Sequence, residues 1–386
     1  MKKTFILLFM VLSFFGAKAN DGVFYAQGNH LIPITETDIS VKKEVLTINK
    51  VGEVIKVTVY YEFFNPVKAK DLLVGFEAPP PYPYEDDYMA VFPEQPHMSN
   101  FKVIINGEAL NYQIAHVSSG YYDGERDEWV IPDYYYNGKI QGWSRKQCED
   151  SLKARDYFDM PFTYVYHFNA HFREGLNIIQ HTYDFDVSGS VGEEYCFPYV
   201  LTAANRWANH QIDDFTLNIN MGDLESFTID PTFYDNLNEW SFDGVGRKNA
   251  VQLEYGEPTY IFHVQKGGLT FHKNNFHPNG ELNISKPYVA LFFMWSDNKD
   301  AKHLMEVVGQ QYANLSPLLG EELNLTAEQK RILKNLPFAY RGHVFKDKGL
   351  RQFFESTKWY VPDSNYKDDM SKMSKEEKEW IQYWSK

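Results

Sequence analysis

The stretch VKKEVLTINKVGEVIKVTVYYEFF, residues 41–64, carries the clearest structural pattern in this sequence. Its second half alternates apolar with polar side chains, and this period of two is typical of a β-strand with one buried face. The apolar members of the alternation are Val57, Val59, Tyr61 and Phe63. Val41 to Ile48 forms a preceding strand, and Gly52 lies where a turn is needed between the two. The stretch therefore predicts two strands joined by a turn.

Further short strands are predicted downstream of this pair. They cover Leu72 to Glu77, Phe101 to Ile105, Phe162 to Phe172, Ile178 to Val187, Asp214 to Met221, Tyr260 to Val264 and Tyr288 to Trp295. Because no helical crossovers separate them, they favour an antiparallel arrangement over a parallel sheet. The prediction is a mainly β N-terminal body, antiparallel and β-sandwich-like, with sub-units at residues 20–117 and 161–297. Residues 118–160 are predicted to be an aromatic-rich insertion between them.

The pattern becomes helical after residue 297. Residues 298–323 are predicted to form a connecting helix, with Leu304 and Val308 on one face, followed by a linker. Two capping boxes then appear, at Thr326-x-x-Gln329 and Ser374-x-x-Glu377. In such a box the hydroxyl accepts a backbone N–H and the second side chain reaches back to the start of the helix. The first helix is expected to end before Pro337. Residues 324–386 are therefore predicted to be a small all-α C-terminal domain.

Composition and charge narrow the class of protein. The 386 residues are 44% hydrophobic and 23% charged, which is ordinary for a globular protein and excludes wholesale disorder. The net charge of -14 is unevenly distributed: residues 324–386 carry 13 basic and 9 acidic side chains, whereas residues 20–323 carry 22 basic and 43 acidic ones. An acidic body argues against a nucleic-acid partner. The basic tail could contact an anionic polymer or the acidic body, or it could be a solvated helical surface.

Residues 1–19 have the features of a secretory signal peptide. Lys2 and Lys3 precede an apolar run from Phe5 to Phe15, and Ala17-Lys18-Ala19 supplies small residues for cleavage. The alternative is a buried N-terminal helix. No later stretch approaches the roughly 18 apolar residues of a membrane span, so no transmembrane segment is predicted in the mature chain. The expected location is the periplasm or cell surface of a bacterium.

The sequence contains two cysteines, Cys148 and Cys196. An even number of cysteines in an exported protein favours a disulfide, which is the prediction made here. The alternative is a pair of buried thiols. Two thiols are too few for a closed zinc site, which requires four ligands.

The insertion at residues 118–160 is rich in aromatic side chains. The candidates for ligand contact are Tyr121, Tyr122, Trp129, Tyr134 and Trp143. Exposed aromatic rings beside carboxylates and amides are what a sugar-binding surface needs, because rings pack against the apolar faces of sugars. The alternative is that these rings form a small core beneath the insertion.

The motifs searched for catalysis or metal binding are weak. No nucleophile elbow and no phosphate-binding loop are present. A metal site at His167, His171 and His181 is geometrically allowed on strands, but sheet histidines with ordinary hydrogen bonds are far commoner. We therefore predict no catalytic residue, no metal and no cofactor. A hydrolase acting on glycans or peptides stays the alternative, since abundant carboxylates leave acid–base chemistry open.

The segment NLPFAYRGHVF, from Asn335 to Phe345, resembles the YARHG domain of exported bacterial proteins. Phe338 stands for the Tyr of the name motif, Ala339 and Gly342 match it, and Tyr340 and Arg341 replace its Arg and His. The residues that carry the resemblance are Phe338, Ala339, Tyr340, Arg341, Gly342, His343, Phe345, Trp359, Tyr360 and Pro362. It covers residues 324–386 and implies a helical extracytoplasmic module that contacts cell-wall or surface components without catalysis. Its aromatic residues can also supply the core that so small a unit requires.

The start of the body is similar to a β-rich family of uncharacterised exported bacterial proteins. Asp38 to Ile48 follows that family's Asp-Ile-x-Val-x-x-Glu-x-Leu-x-Ile pattern. The resemblance implies no function. Together these features predict an exported, non-catalytic, envelope-associated binding or structural protein whose partner is a cell-wall polymer or an envelope protein.

Overall fold

A computed structural model describes residues 31–33, 37–78, 98–119, 121–123, 128–130, 135–136, 139–154, 161–187, 189, 192–251, 259–296 and 299–386. The signal peptide predicted at residues 1–19 lies outside the described residues. Strands form most of the described residues up to 287, here called the β-body, and five of the six α-helices assigned in the described residues lie in residues 289–386, here called the helical region.

The strands are β1 (Leu31–Pro33), β2 (Ser40–Val51), β3 (Val54–Asn65), β4 (Lys70–Ala78), β5 (Met98–Ile105), β6 (Glu108–Ala109), β7 (Gln113–Ser118), β8 (Tyr121–Asp123), β9 (Glu128–Val130), β10 (Tyr135–Tyr136), β11 (Lys139–Ile140), β12 (Phe162–Phe172), β13 (Gly175–Asp186), β14 (Glu193–Tyr199), β15 (Ile212–Asn220), β16 (Glu225–Ile229), β17 (Trp240–Val251), β18 (Thr259–Phe276) and β19 (Leu282–Pro287). The α-helices are α1 (Arg145–Ala154), α2 (Val289–Trp295), α3 (Ala301–Gln310), α4 (Ala327–Tyr340), α5 (Lys348–Ser356) and α6 (Lys375–Tyr383).

The predicted hairpin at residues 41–64 is present as β2 and β3. Antiparallel pairing joins Val51 to Val54 across a turn in which Gly52 has φ +62°. Because side chains alternate between the two faces of a strand, the apolar set from Val57 to Phe63 is at most 1% exposed. The hairpin lies inside a sheet with the order β14-β19-β16-β18-β15-β2-β3-β13-β5-β6, and β17 also pairs with β18.

A second sheet, ordered β1-β4-β12-β7, covers part of the first. Phe76 of this smaller sheet packs on Phe101 and His181 of the larger one, with ring centroids 5.3 Å and 5.4 Å apart. Side chains from both sheets belong to one hydrophobic core. The predicted mainly β body with sandwich-like packing is therefore confirmed, and helices are concentrated in the C-terminal region as expected. The predicted antiparallel arrangement is wrong at one place among the described strands, because β2 and β15 pair in parallel.

The boundary predicted near residue 160 does not separate two sheets. Strands β12 and β13, which follow that boundary, pair with β4 and β3 from before it. The insertion instead begins and ends at one place, because Ser118 pairs with Phe162 across β7 and β12. Sequence patterns locate strands but do not identify their partners, since pairing depends on contacts far apart in the chain.

One predicted strand, Tyr288 to Trp295, is wrong. Residues Val289–Trp295 form α2, and its side chains Ala290 and Phe293 are both 3% exposed within the core of the helical region. A short apolar run does not distinguish a strand from a buried helix, because both bury every side chain. Tertiary contacts therefore determine whether such a run becomes a strand or a helix.

The capping boxes of the helical region are confirmed. Thr326 and Gln329 cap α4, and Ser374 and Glu377 cap α6, with both reciprocal hydrogen bonds present in each box. The predicted end of α4 before Pro337 is wrong, because the helix continues to Tyr340. These helices enclose a core of their own, to which α2 also contributes. In the part of the chain that the structure describes, no helix is long and apolar enough to cross a membrane.

Candidate functional site

The end of α4 contacts the β-body through Tyr340. Its hydroxyl lies 2.8 Å from the hydroxyl of Ser226 on β16, which in turn lies 2.7 Å from Nδ1 of His263 on β18. Ser226 and His263 are directly paired across the two strands. The ring of Tyr340 stacks on Tyr312, with centroids 3.5 Å apart and planes 6° from parallel. Tyr340 thus joins the helical region to the strands and to the segment after α3.

The edge of β17 forms a second part of this contact. Arg247 Nη1 donates to the carbonyl oxygens of Thr357 and Tyr360, at 3.2 Å and 3.0 Å. The side-chain amide of Asn249 donates to the carbonyl oxygen of Lys358. Strand β17 therefore uses side chains to bind backbone carbonyls of the segment that follows α5. We call this contact, together with that of Tyr340, the interdomain interface.

Arg341 makes a two-pronged ion pair within the helical region. Its Nη1 and Nη2 lie 2.7 Å and 2.9 Å from the two carboxylate oxygens of Glu377, the residue that also caps α6. Burial alone would lower the pKa of Arg341, but the hydrogen bonds and charge of Glu377 raise it above its ordinary value. A bidentate guanidinium–carboxylate pair is a strong, directional contact, so Arg341 fixes α6 against the end of α4.

Gly342 follows at the end of α4 with φ +84°. A Cβ atom at this position would lie 2.9 Å from the backbone nitrogen of Asp363 and from the side-chain amide of Gln265. Both the left-handed backbone and the close approach of β18 therefore require glycine here.

The remaining motif residues are mostly held inside the helical region. Trp359 donates from Nε1 to the carbonyl oxygen of Val308 at 2.7 Å, and Tyr360 donates its hydroxyl to the carbonyl oxygen of His343 at 2.7 Å. Phe345 stacks on Phe354 in the core. These contacts leave the motif's aromatic rings filling space within the molecule. The motif also includes Phe338, Ala339 and Pro362. Of these, Ala339 is fully buried and Pro362 is exposed.

A pocket of about 60 Å³ lies at the interdomain interface. It is lined by residues of β14, β16, β18, β19 and α2 and by residues between Gln311 and Pro317. Tyr340 lies behind it, since both its hydrogen-bond partner Ser226 and its stacking partner Tyr312 line the pocket.

Lys286 supplies the positive charge of this pocket. Its Nζ lies 2.9 Å from Glu194 and 3.1 Å from Glu225, and Glu225 also accepts the hydroxyl of Tyr195 at 3.1 Å. Burial would lower the pKa of Lys286, but the charges of Glu225 and Glu194 raise it above its ordinary value. Lys286 is therefore held between two carboxylates, of which Glu194 lines the pocket.

The Ser226–His263 pair has the separation of a nucleophile and its base, but its surroundings do not favour catalysis. His263 is 1% exposed, and burial lowers its pKa to about 3. A general base is most effective when its pKa is near the working pH, so this imidazole is a weak base at neutral pH. The hydroxyl of Ser226 is also held by Tyr340. The geometry favours a structural link between strand and helix.

The structure places the predicted aromatic ligand contacts unevenly. Trp143 packs against the main core and lies 6.2 Å from the ring of Phe162. Tyr121 and Tyr122 are on β8 and Trp129 is on the paired β9, where only their backbone is described. Tyr134 lies outside the described residues. The sugar-contact proposal for this insertion stays a prediction.

The predicted disulfide is wrong. Cys148 and Cys196 are both free and buried, as in the alternative considered from the sequence. Cys148 lies on α1, whereas Cys196 lies on β14 and donates its thiol to Asn283 Oδ1 at 3.0 Å. Burial raises the pKa of the Cys148 thiol to about 11 and raises that of Cys196 further. A disulfide requires two nearby Cα atoms, which sequence spacing does not reveal.

The three histidines considered for metal binding do not converge. His181 is fully buried between the two sheets, whereas His167 and His171 lie on the opposite face of β12 from the core residues. His171 is exposed and its Nδ1 lies 2.8 Å from Asp71. Within the described ranges no group of three metal-ligating side chains is found.

The residues that build the pocket and the interface were missed in the sequence. Ser226, His263, Arg247 and Lys286 lie on separate strands, and each looks like an ordinary polar residue of a half-buried strand. No local spacing relates them, because their proximity arises from strand register and from the position of α4. A cross-strand pair of polar residues would have been a signal only if the register had been known.

Comparisons with known proteins identify the C-terminal region. A YARHG domain model matches residues 309–386, so the match begins before the predicted residue 324 and includes Gln311 to Pro317. No curated protein matches the chain. Among solved structures, a protein from Legionella pneumophila described as a candidate nutrient-binding protein is similar over 93% of this chain and 97% of its own, with a TM-score of 0.47 and 14% identity. YARHG domains are typical of exported bacterial proteins, in agreement with the predicted export. Residues 309–386 of this chain are a YARHG domain, as their motif predicted.

Proposed function

We propose that this protein is an exported, non-catalytic binding protein of the bacterial envelope. In this proposal the YARHG domain uses its motif residues to attach to the β-body and uses its exposed lysines to contact an anionic cell-wall or surface polymer. The observation that supports it is that several carboxylates of the domain have partners within the domain, whereas most of its lysines have no ion pair.

Several carboxylates of the domain have internal partners. Asp347 and Asp369 accept backbone N–H groups at helix starts, Glu377 binds Arg341, and Asp368 lies 2.7 Å from Nδ1 of His343. Lysines are distributed differently. In the described part of the chain the following have no ion pair: Lys330, Lys334, Lys346, Lys348, Lys358, Lys367, Lys372, Lys378 and Lys386. Unpaired ammonium groups at a surface attract polyanions and do so less strongly as salt increases.

The test is co-sedimentation with purified peptidoglycan sacculi at low and moderate salt. The triple variant Lys330→Gln, Lys372→Gln, Lys378→Gln removes three exposed charges without ion pairs from the YARHG domain. The matched control removes three exposed charges from the β-body by Lys68→Gln, Lys102→Gln and Lys266→Gln.

We expect the wild-type protein to pellet at low salt and to be released as salt increases. The YARHG-domain variant should pellet less, and the β-body variant should pellet like the wild type. Absence of wild-type pelleting, or equal loss in the two triple variants, would contradict the proposal.

A further inference from the structure

We propose that the outer face of the larger sheet, the face turned away from the smaller sheet, forms an interface with a second copy of this chain. The inference goes beyond polymer contact, because it concerns the β-body and a protein partner. It rests on a cluster of exposed apolar side chains, here called the apolar patch, and on the charges that border it. The patch consists of Phe64, Ile104, Leu176 and Ile178.

The apolar patch spans three neighbouring strands at one end of the sheet. Leu176 on β13 is paired directly with Phe64 on β3, and Gln180 on β13 is paired with Ile104 on β5. Ile178 lies between these two pairs on the same face of β13, because side chains two residues apart point to the same side of a strand. The four apolar side chains therefore form one continuous surface with Ile178 at its centre.

The patch is exposed although it belongs to strands of the core. Phe63 and Ile179, which point to the other face of the same strands, are fully buried. Leu176 is 55% exposed, and the other three patch residues are 39% or 40% exposed. Other exposed apolar side chains, such as Val245 and Val344, lie on different elements. Single exposed apolar residues are normal, whereas a contiguous cluster is typical of a surface that a partner covers.

The charges that border the patch indicate which partner it accepts. Glu62 and Lys102 lie on its strands, and Arg173 and Glu174 lie between β12 and β13. Among the described residues none of these four forms an ion pair. Two are acidic and two are basic, so the border has no net charge. A polyanion or an anionic membrane would meet as much repulsion as attraction there, whereas a rotated copy of the same surface can place opposite charges together.

A two-fold axis along β13 makes the surface complementary to itself. Such an axis places β3 of one copy over β5 of the other, since these strands lie on either side of β13. Phe64 then approaches the partner's Ile104, and Glu62 approaches the partner's Lys102. Ile178 lies beside the axis, so it approaches the partner's Ile178. Apolar groups thus meet at the centre of the contact and opposite charges meet at its border.

The outer face is large enough for a stable dimer. Strands β3 and β13 each contain 12 residues, which at about 3.4 Å per residue gives a length of about 40 Å. Strands β2, β3, β13 and β5 together are about 19 Å wide, at about 4.8 Å per strand. The resulting area of about 760 Å² is close to the roughly 800 Å² that each partner contributes to a standard protein–protein interface.

The first experiment measures the oligomeric state of the full chain by sedimentation velocity over a hundredfold range of protein concentration. Leu176→Lys and Ile178→Lys each place a charge within the apolar patch, at exposed positions that the fold does not need to bury. Val245→Lys makes a similar change at an exposed position of β17 and is the matched control. Circular dichroism melts show whether each variant is folded.

The second experiment tests the position of the axis by cross-linking. The two natural cysteines are buried, so Ile178→Cys adds an accessible thiol. A short bis-maleimide can join this thiol to the same thiol of a second copy only if the two lie close together. Val245→Cys, which is exposed on β17, is the control for random collision.

We expect the wild type to be a dimer that dissociates on dilution. Leu176→Lys and Ile178→Lys should each raise its dissociation constant at least tenfold, whereas Val245→Lys should leave it unchanged. The bis-maleimide should give a covalent dimer with Ile178→Cys and not with Val245→Cys. The dimer should persist at the salt concentration that releases the protein from sacculi, because apolar contacts form its centre.

A wild type that stays monomeric over the whole range would overturn the proposal, whether or not its patch then binds lipid vesicles. Patch variants that dimerise like the wild type, or an Ile178→Cys protein that gives no covalent dimer, would overturn it as well. Sacculus pelleting tests the lysines of the YARHG domain and not the patch. Either proposal can therefore fail alone.

Discussion

The indole N–H of Trp380 donates a 2.6 Å hydrogen bond to the carbonyl oxygen of Leu333. Leu333 is four residues before Pro337, and a proline lacks the N–H that would normally bond this carbonyl inside a helix. Trp380 on α6 therefore replaces the missing intrahelical donor of α4. This contact explains why α4 continues through Pro337 to Tyr340 and brings the motif to the interdomain interface.

Replacing Trp380 with Phe should destabilise the helical region by about 2 kcal/mol, because it leaves a buried carbonyl without a donor. The control is Trp384→Phe at the C-cap of the same helix, where Nε1 has no hydrogen-bond partner among the described residues. In a Pro337→Ala background the new N–H of residue 337 can bond Leu333, so the cost of Trp380→Phe should fall by about 1 kcal/mol. Urea unfolding followed by circular dichroism measures the wild type, the three single variants and the double variant. Equal costs in the two backgrounds would refute the role of Trp380 as a replacement donor.

The ion pair between Arg341 and Glu377 should contribute more to the free energy of unfolding than an exposed ion pair does. Glu377→Gln keeps a residue suited to the capping box but removes the charge, and we expect a loss of about 2 kcal/mol from the free energy of unfolding. Glu379→Gln is the control, because its pair with Lys375 is 3.8 Å long and exposed, and should cost less than about 0.5 kcal/mol. Thermal melts at two salt concentrations provide the comparison. Similar losses for both substitutions would show that the bidentate geometry adds nothing.

Stability should fall in mild acid because of His263. The unfolded chain protonates this imidazole near its ordinary pKa of 6.5, whereas the folded protein does so only at about 3. Between these values the unfolded state binds more protons, so the free energy of unfolding falls as pH decreases, by up to about 1.4 kcal/mol per pH unit. The contribution is complete above pH 6.5 and is lost progressively towards pH 3.

His263→Gln should flatten this dependence between pH 6.5 and 5, a window above the ordinary pKa of carboxylates. Burial is the largest effect on the pKa of His263 and lowers it. The backbone of Gln310 raises this pKa, and the charge of Arg247 lowers it. His277→Gln, at an exposed position, is the control. Urea unfolding at several pH values gives the slopes. A His263→Gln protein with the slope of the wild type would count against this assignment.

The two cysteines should behave as buried thiols that react slowly with thiol reagents. Without reductant, Ellman's reagent should find no rapidly reacting thiol in the folded protein and about two in denaturant, because burial holds both thiols in their unreactive protonated form. Cys148→Ala and Cys196→Ala should each reduce the denatured count by about one. A denatured wild-type protein with no thiols would restore the disulfide prediction.

Local patterns were sufficient for most elements of this fold. The alternation at Val57 and Val59 identified β3, and the box at Thr326 and Gln329 identified the start of α4. These signals act within one strand or one helical turn, so they are complete in a short window of sequence. They failed where a second element supplied what the window lacked. Trp380, remote from α4 in sequence, allowed the helix to pass Pro337.

The candidate site was almost absent from the sequence patterns. The YARHG motif was recognisable, but the direction in which its residues point was not. Tyr340 contacts Ser226 across 114 residues of chain, and Ser226 contacts His263 across 37. Such contacts depend on strand register and on the packing of whole elements, which composition and residue spacing do not reveal.

By itself, the sequence determined the positions of most of the long strands, how two of the helices are capped, how charge is divided between body and tail, and that residues 324–386 carry a YARHG-like motif. The tertiary structure decided that Tyr340 and Gly342 face the β-body, that the cysteines stay apart, and that a pocket forms beside Lys286. The physical reason is the range of the interactions. Backbone geometry and capping act over about four residues, whereas packing, pairing and burial are properties of surfaces that meet only in the folded chain.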